Sequence, residues 1–158
     1  MPEVNKKITA ELARRELARR FYCDYLPYVQ GKTWKRTRMS QHIATVVQDF
    51  LEAETGHAYD ILVIETPPQH GKSITVTETV PSWYLGRHPD HRVIVACYDS
   101  DFAERFCRKN KEKIKSCGRT LFNIGIGMIL SAPVSPNTMP ATIEIIMGLQ
   151  SAKSGWLN

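Results

Sequence analysis

The chain contains four cysteines, Cys23, Cys97, Cys107 and Cys117, but no C-x-x-C pair and no histidine at metal-ligand spacing from any of them. That pattern excludes a zinc motif and a disulfide framework, and it suits free thiols in a reducing cytoplasm. A long apolar run is also missing. Residues 120 to 143 carry no charge, yet Gly125, Gly127, Pro133, Pro136 and Pro140 interrupt them, so no membrane span is expected. Met1 to Lys7 lacks the apolar core of a signal peptide. Acidic residues run out early: after Glu112 the chain offers only Glu144, and no aspartate at all.

What is present is a basic chain of one-domain size. Its 158 residues and 18.0 kDa suffice to bury a core. The net charge of +5 suits an acidic partner such as nucleic acid, with basic residues concentrated in Lys6 to Arg20, Lys32 to Arg38 and Arg105 to Lys115. Solvated helix faces would produce the same clusters.

Along the chain, residues 6 to 22 have a helical pattern, with Ala10, Ala13, Leu17 and Phe21 on one stripe and Glu11/Arg15 and Glu16/Arg20 as i,i+4 pairs. A second helix is expected from Ser40 to Glu54, with Ile43, Val46, Val47, Phe50 and Leu51 inward and Gly56 past its end. Ile61-Leu62-Val63-Ile64 has the composition of a buried strand, and a helix is expected from Gly71 to about Val80. Pro81 suits the first position of a further helical turn carrying Trp83, Tyr84 and Leu85. Arg92 to Tyr98 forms another aliphatic strand, and Asp101 to Cys117 a basic helix closed by Gly118. A short strand is expected over 142–147. The alternation implies an α/β fold: an incomplete parallel sheet of the P-loop NTPase kind, with flanking helices and right-handed crossovers. The expected division is an N-terminal helical segment over 1–57, a partial ATPase core over 58–118, and a low-charge divergent tail over 119–158.

Thr66-Pro67-Pro68-Gln69-His70-Gly71-Lys72-Ser73 is the stretch that points to chemistry. It follows the aliphatic run and precedes a helical pattern, the context a phosphate-binding loop requires. Gly71 leaves the backbone room to curl round a phosphate, and the first turn after it directs free N–H groups at the anion. Lys72 would reach the β- and γ-phosphates, and the Ser73 hydroxyl would ligate Mg²⁺. Thr66 occupies the place where the G-x-x-x-x-G-K-[ST] pattern has its first glycine, and Pro67 and Pro68 stiffen the entrance instead. His42, His57, His88 and His91 have no visible partner and are expected at the surface. Trp83 and Tyr84 are expected to pack rather than to stack on bases, and Tyr98-Asp99-Ser100 is a candidate contact loop for nucleotide or DNA.

Taken together, the loop, Pro81-Ser82-Trp83-Tyr84-Leu85-Gly86-Arg87 and Val93-Ile94-Val95-Ala96-Cys97-Tyr98-Asp99-Ser100-Asp101-Phe102-Ala103-Glu104 resemble the N-terminal ATPase domain of the large terminase subunit of tailed bacteriophages. The resemblance covers roughly Ala10 to Ile124. It implies a motor that uses ATP and Mg²⁺ to drive double-stranded viral DNA into a prohead in the bacterial cytoplasm. It also implies a portal protein and a small terminase subunit as partners, a homo-oligomeric assembly and no membrane. Its binding residues carry over as Pro68, Gln69, His70, Gly71, Lys72 and Ser73. Gln41 resembles the family's adenine-reading glutamine, although a surface glutamine near a helix start would look the same. Gln69 stands where many relatives carry an arginine, and a glutamine cannot neutralise phosphate charge.

Phosphoryl transfer to water also needs an acid to hold Mg²⁺ and a group to orient the water, and no acid pair follows the loop on a later aliphatic strand. The family's nuclease domain has no counterpart in this sequence. The expectation is therefore an ATP-binding portion that does not hydrolyse alone, with the tail's loss of charge fitting a truncated or frame-shifted gene. A helicase-like ATPase fragment and a non-catalytic DNA- or partner-binding prophage remnant are the alternatives. An incomplete sheet would also leave an unpaired edge prone to association.

Overall fold

The structure is a computed structural model that describes residues 2–54, 56–97, 99–124 and 143–147. These residues are mostly helical. In chain order the elements are α1 (Pro2–Arg20), α2 (Tyr22–Gln30), a 3₁₀ turn (Gly31–Thr33), α3 (Arg38–Glu52), α4 (Lys72–Thr75), α5 (Val80–Arg87), β1 (Val93–Cys97), α6 (Ser100–Lys113), a π turn (Ile114–Gly118), α7 (Arg119–Phe122) and β2 (Ile143–Met147). Among the described residues no helix is long and apolar enough to cross a membrane.

This corrects the expected P-loop-type parallel sheet. Among the described residues the one ladder joins β1 to β2 in parallel, from Val93 opposite Ile143 to Cys97 opposite Met147. Residues 61–64 adopt no regular secondary structure and pair with nothing there. Leu62 and Ile64 pack on the main core while Ile61 and Val63 are 75% and 71% exposed, so one face is buried and the other is bare. An aliphatic run becomes a strand only when a neighbour takes its backbone N–H and C=O groups, and that neighbour is set by tertiary contacts rather than by the run itself.

α1 and α2 form a helical hairpin broken at Phe21, whose backbone is extended. One side chain repairs the break. The Tyr22 N–H donates to Gln48 Oε1 at 2.7 Å, and Gln48 Nε2 donates to the Arg20 carbonyl at 3.2 Å. The expected stripe on α1 is corrected as well: Leu17 and Phe21 are exposed, and Ala18 is the residue that is fully buried. The helix packs through its second half, against α2 and α7, so the buried face is set by those neighbours. The segment Tyr25 to Tyr28 is helical despite Pro27. Tyr22, Tyr25 and Leu26 are buried there.

α3 begins with a capping box: Ser40 N–H donates to Thr37 Oγ1 at 3.1 Å and Thr37 N–H to Ser40 Oγ at 2.8 Å. It buries Ile43, Ala44 and Val47, leaving Val46, Phe50 and Leu51 half-buried. The main core gathers Ala18, Tyr22, Tyr25, Leu26, Trp34, Ile43, Ala44, Val47, Trp83 and Leu121. A second cluster of Leu85, Val95, Phe106, Cys107, Ile114 and Ile124 ties β1 and α6 to the end of α5. Gly86 lies against the Phe122 ring so closely that any Cβ would occupy the ring's space. Glycine is the residue that lets α5 and α7 meet.

Candidate functional site

The expected helix from Gly71 to Val80 is two pieces. α4 is a single turn, and residues 76–79 form a further turn before α5. This connection is held from three sides. Tyr22 Oη donates to the Thr75 carbonyl, Trp34 Nε1 to Thr75 Oγ1 at 3.0 Å, and Gln30 Nε2 to Thr79 Oγ1 at 2.8 Å. From α6, Asn110 Nδ2 donates to the Thr77 carbonyl at 3.0 Å while its Oδ1 accepts the Ser82 N–H at 3.0 Å. Lys109 Nζ reaches Glu78 Oε1 and Lys113 Nζ the Glu78 carbonyl, each at 2.7 Å. Burial lowers the pKa of the Lys113 ammonium, with Glu78 opposing the shift. Polar groups buried this way hold position only when each has its partner, and here they do.

The loop ahead of this anchor is open to solvent. Pro67, Pro68, Gln69 and His70 are exposed, as are Lys72 and Ser73. Two residues take left-handed backbone conformations, Gln69 at φ 63° and Gly71 at φ 74°. Glycine tolerates that region freely, whereas Gln69 is a non-glycine held there. Left-handed Gly71 is followed directly by the right-handed turn of α4, and such an alternation directs successive backbone N–H groups towards one side, as in an anion-binding nest. His70 Nδ1 lies 2.8 Å from the Pro68 carbonyl, which ties the imidazole to its own turn. Gly71 is the N-cap of α4 and no side chain caps that turn.

Lys72 and Ser73 have no protein partner for their side chains among the described residues. Thr66 Oγ1, at the first position of the loop, is the buried side-chain polar atom found without a hydrogen-bond partner there. An orphaned hydroxyl of this kind costs free energy unless something outside the described protein satisfies it. Because α4 is one turn long, its dipole is small, so Lys72 would supply most of the attraction for an anion.

The other expected site residue, Gln41, stands on α3. It is half-buried and lines a shallow groove of about 420 Å³ with Phe21, Asp24, Arg36, Thr45 and Gln48. No residue from 66–73 lines that groove. Arg36 there is committed to Asp24 Oδ1 at 2.6 Å and to the Cys23 carbonyl at 2.9 Å. Pro68 to Ser73 are consecutive in one loop, and Gln41 stands on α3, which packs against α4.

Asp99, the middle residue of the candidate contact loop, caps α6 by accepting the Asp101 and Phe102 N–H groups at 2.8 and 3.2 Å. Tyr98 lies outside the described residues. Trp83 packs in the core at 1% exposure with its Nε1 donating to the Ala18 carbonyl at 3.3 Å. His88 and His91 have partners that spacing alone does not reveal: their rings stack at 5.0 Å, and Tyr84 Oη lies 2.7 Å from His91 Nδ1. Burial, then His91 and Arg87, lowers the His88 pKa. Glu144 sits in β2 opposite Ile94. Among the described residues no group of three or more His, Cys, Asp or Glu side chains is arranged to hold a metal ion. No family model, curated protein or solved structure matches the chain.

Proposed function

We propose that the loop from Thr66 to Ser73 binds the phosphates of ATP with Mg²⁺, and that the chain is an N-terminal portion of a phage terminase-like packaging motor. One combination carries the nucleotide reading: left-handed Gln69 and Gly71 frame the loop, Lys72 and Ser73 are exposed and unpaired among the described residues, and Thr66 Oγ1 is buried without a partner there. Lys72 supplies the cation for the outer phosphates and the loop N–H groups supply neutral donors. Mg²⁺ would offset phosphate charge, with Ser73 as its protein oxygen and the phosphates among its other ligands. The motor lineage rests on the Pro81–Arg87 and Val93–Glu104 segments of sequence. It extends to viral DNA, a portal, a small subunit and a homo-oligomeric ring in the bacterial cytoplasm. The reading requires no parallel-sheet core, since the anchor of the loop is the hydrogen-bonded connection from Thr75 to Ser82.

The cation dependence tests it. At ATP a hundredfold above Kd, linkage stabilises the protein by about 2.7 kcal/mol, which raises Tm by several degrees. The expected result is a shift that needs Mg²⁺ in the parent and loses that need in Ser73→Ala. A shift indifferent to Mg²⁺ in both proteins would remove Ser73 from the site.

A further inference from the structure

The fold brings Arg87 to the adjacent pair Arg19 and Arg20, which lies far from it in sequence. Arg19 and Arg20, at the end of α1, and Arg87, at the end of α5, line a groove of about 360 Å³ whose remaining walls are Gly86 and Phe122. Two carboxylates orient the guanidinium groups. Glu16 takes Arg19 Nε and Nη2 at 3.1 and 2.9 Å and pairs with Arg20 Nε, while Glu52 accepts from Arg87 Nη1. Arg87 is further fixed by lying over the Trp83 ring, 4.7 Å from its centroid. The outer nitrogens, Arg19 Nη1, both Nη of Arg20, and Nε and Nη2 of Arg87, have no protein partner among the described residues. Three cations against two anions leave the groove positive, and its donors are already held in place.

The geometry points to a phosphate-binding site in this groove, separate from the loop at Lys72. Guanidinium forks match phosphate oxygens in pairs, and a fork held by a carboxylate on one edge loses less freedom when the other edge engages a ligand. A donor set of this size takes one or two phosphate groups. They come from consecutive phosphodiesters of a nucleic-acid strand or from free pyrophosphate. The site stands on its own residues and does not depend on the nucleotide reading of the loop.

The test titrates the full chain with a short fluorescein-labelled single-stranded oligodeoxynucleotide and, separately, with pyrophosphate. The comparison is between the parent, Arg19→Ala/Arg20→Ala and the control Lys111→Ala/Lys115→Ala, each checked for folding by circular dichroism. Every titration is repeated with Lys72→Ala, which removes the cation of the loop and leaves the groove untouched. The expected result is binding at least about fivefold weaker in the arginine double variant, with a salt slope shallower by about 1 for each phosphate no longer neutralised. The control stays within about twofold, since an exposed charge outside the site contributes little. Weakening confined to the oligonucleotide assigns a backbone ligand, and weakening confined to pyrophosphate assigns a free phosphate. Unchanged binding of both ligands, or an equal loss in the lysine control, overturns the site.

Discussion

Replacing Trp83 with alanine is expected to lower unfolding stability by about 3–5 kcal/mol, the range for deleting a large buried aromatic. Trp83 is 1% exposed and sits where the loop's anchor meets the helical hairpin. Its ring packs 5.1 Å from that of Tyr22, its Nε1 donates to the Ala18 carbonyl, and the Arg87 guanidinium covers its outer face. Removing it leaves a cavity, an unpaired carbonyl on α1 and an Arg87 held by Glu52 alone. Total stabilities of about 5–15 kcal/mol are usual for domains, so the variant would sit at the margin of folding. Urea denaturation of the two proteins measures the difference. A loss below about 1 kcal/mol, the size of an average point substitution, would mean that α5 does not pack on the α1–α2 hairpin as described.

Asn110→Leu is the second large expectation, and it separates polar from apolar contributions because the volume is nearly conserved. Asn110 is fully buried, and its amide accepts from the Ser82 N–H and donates to the Thr77 and Phe106 carbonyls. Leucine fills the space but leaves the Ser82 N–H and the Thr77 carbonyl unsatisfied. Each buried orphan costs about 1–3 kcal/mol, so a destabilisation of about 2–5 kcal/mol is expected. The effect should also reach the loop, because Thr77 and Ser82 fix the connection that follows Lys72. Hydrogen exchange of residues 75–82 is therefore expected to quicken in the variant. Unchanged stability with unchanged exchange would show that the α6 contacts are incidental to the anchor.

The local features of the chain are the legible ones. Glu11/Arg15 and Glu16/Arg20 mark α1, Arg15 Nε meeting Glu11 at 3.0 Å. The aliphatic run from Val93 marks β1, whereas Gly118, expected to close the basic helix, is right-handed helical at φ −58° and the helical path ends only at left-handed Asn123. The left-handed turn ahead of α4 falls on Gly71, the glycine that the sequence offers there. What requires the fold is non-local. Ile61 to Ile64 has the composition of a strand, yet pairing depends on a neighbour that sequence does not specify. Pro27 lies within α2, and Ala18 rather than Leu17 is buried, because the tertiary partners of the hairpin decide both. Resemblance names Gln41 as a site residue, and the fold adds that from α3 it lines a groove with Arg36. Arg20 and Arg87 stand on helices far apart in the chain, and nothing in their spacing shows that the two share a groove.

The central claim is that Lys72 and its loop hold a triphosphate, and titration with a fluorescent ATP analogue in Mg²⁺ tests it most directly. Lys72 is exposed and outside the core, so Lys72→Ala should keep the fold and its circular dichroism spectrum. Losing one charge-assisted hydrogen bond to phosphate removes about 1.5–3 kcal/mol, equivalent to roughly tenfold or more in Kd. The account predicts saturable binding to the parent chain and binding weakened by at least that factor in Lys72→Ala. Equal signal from both proteins would contradict it.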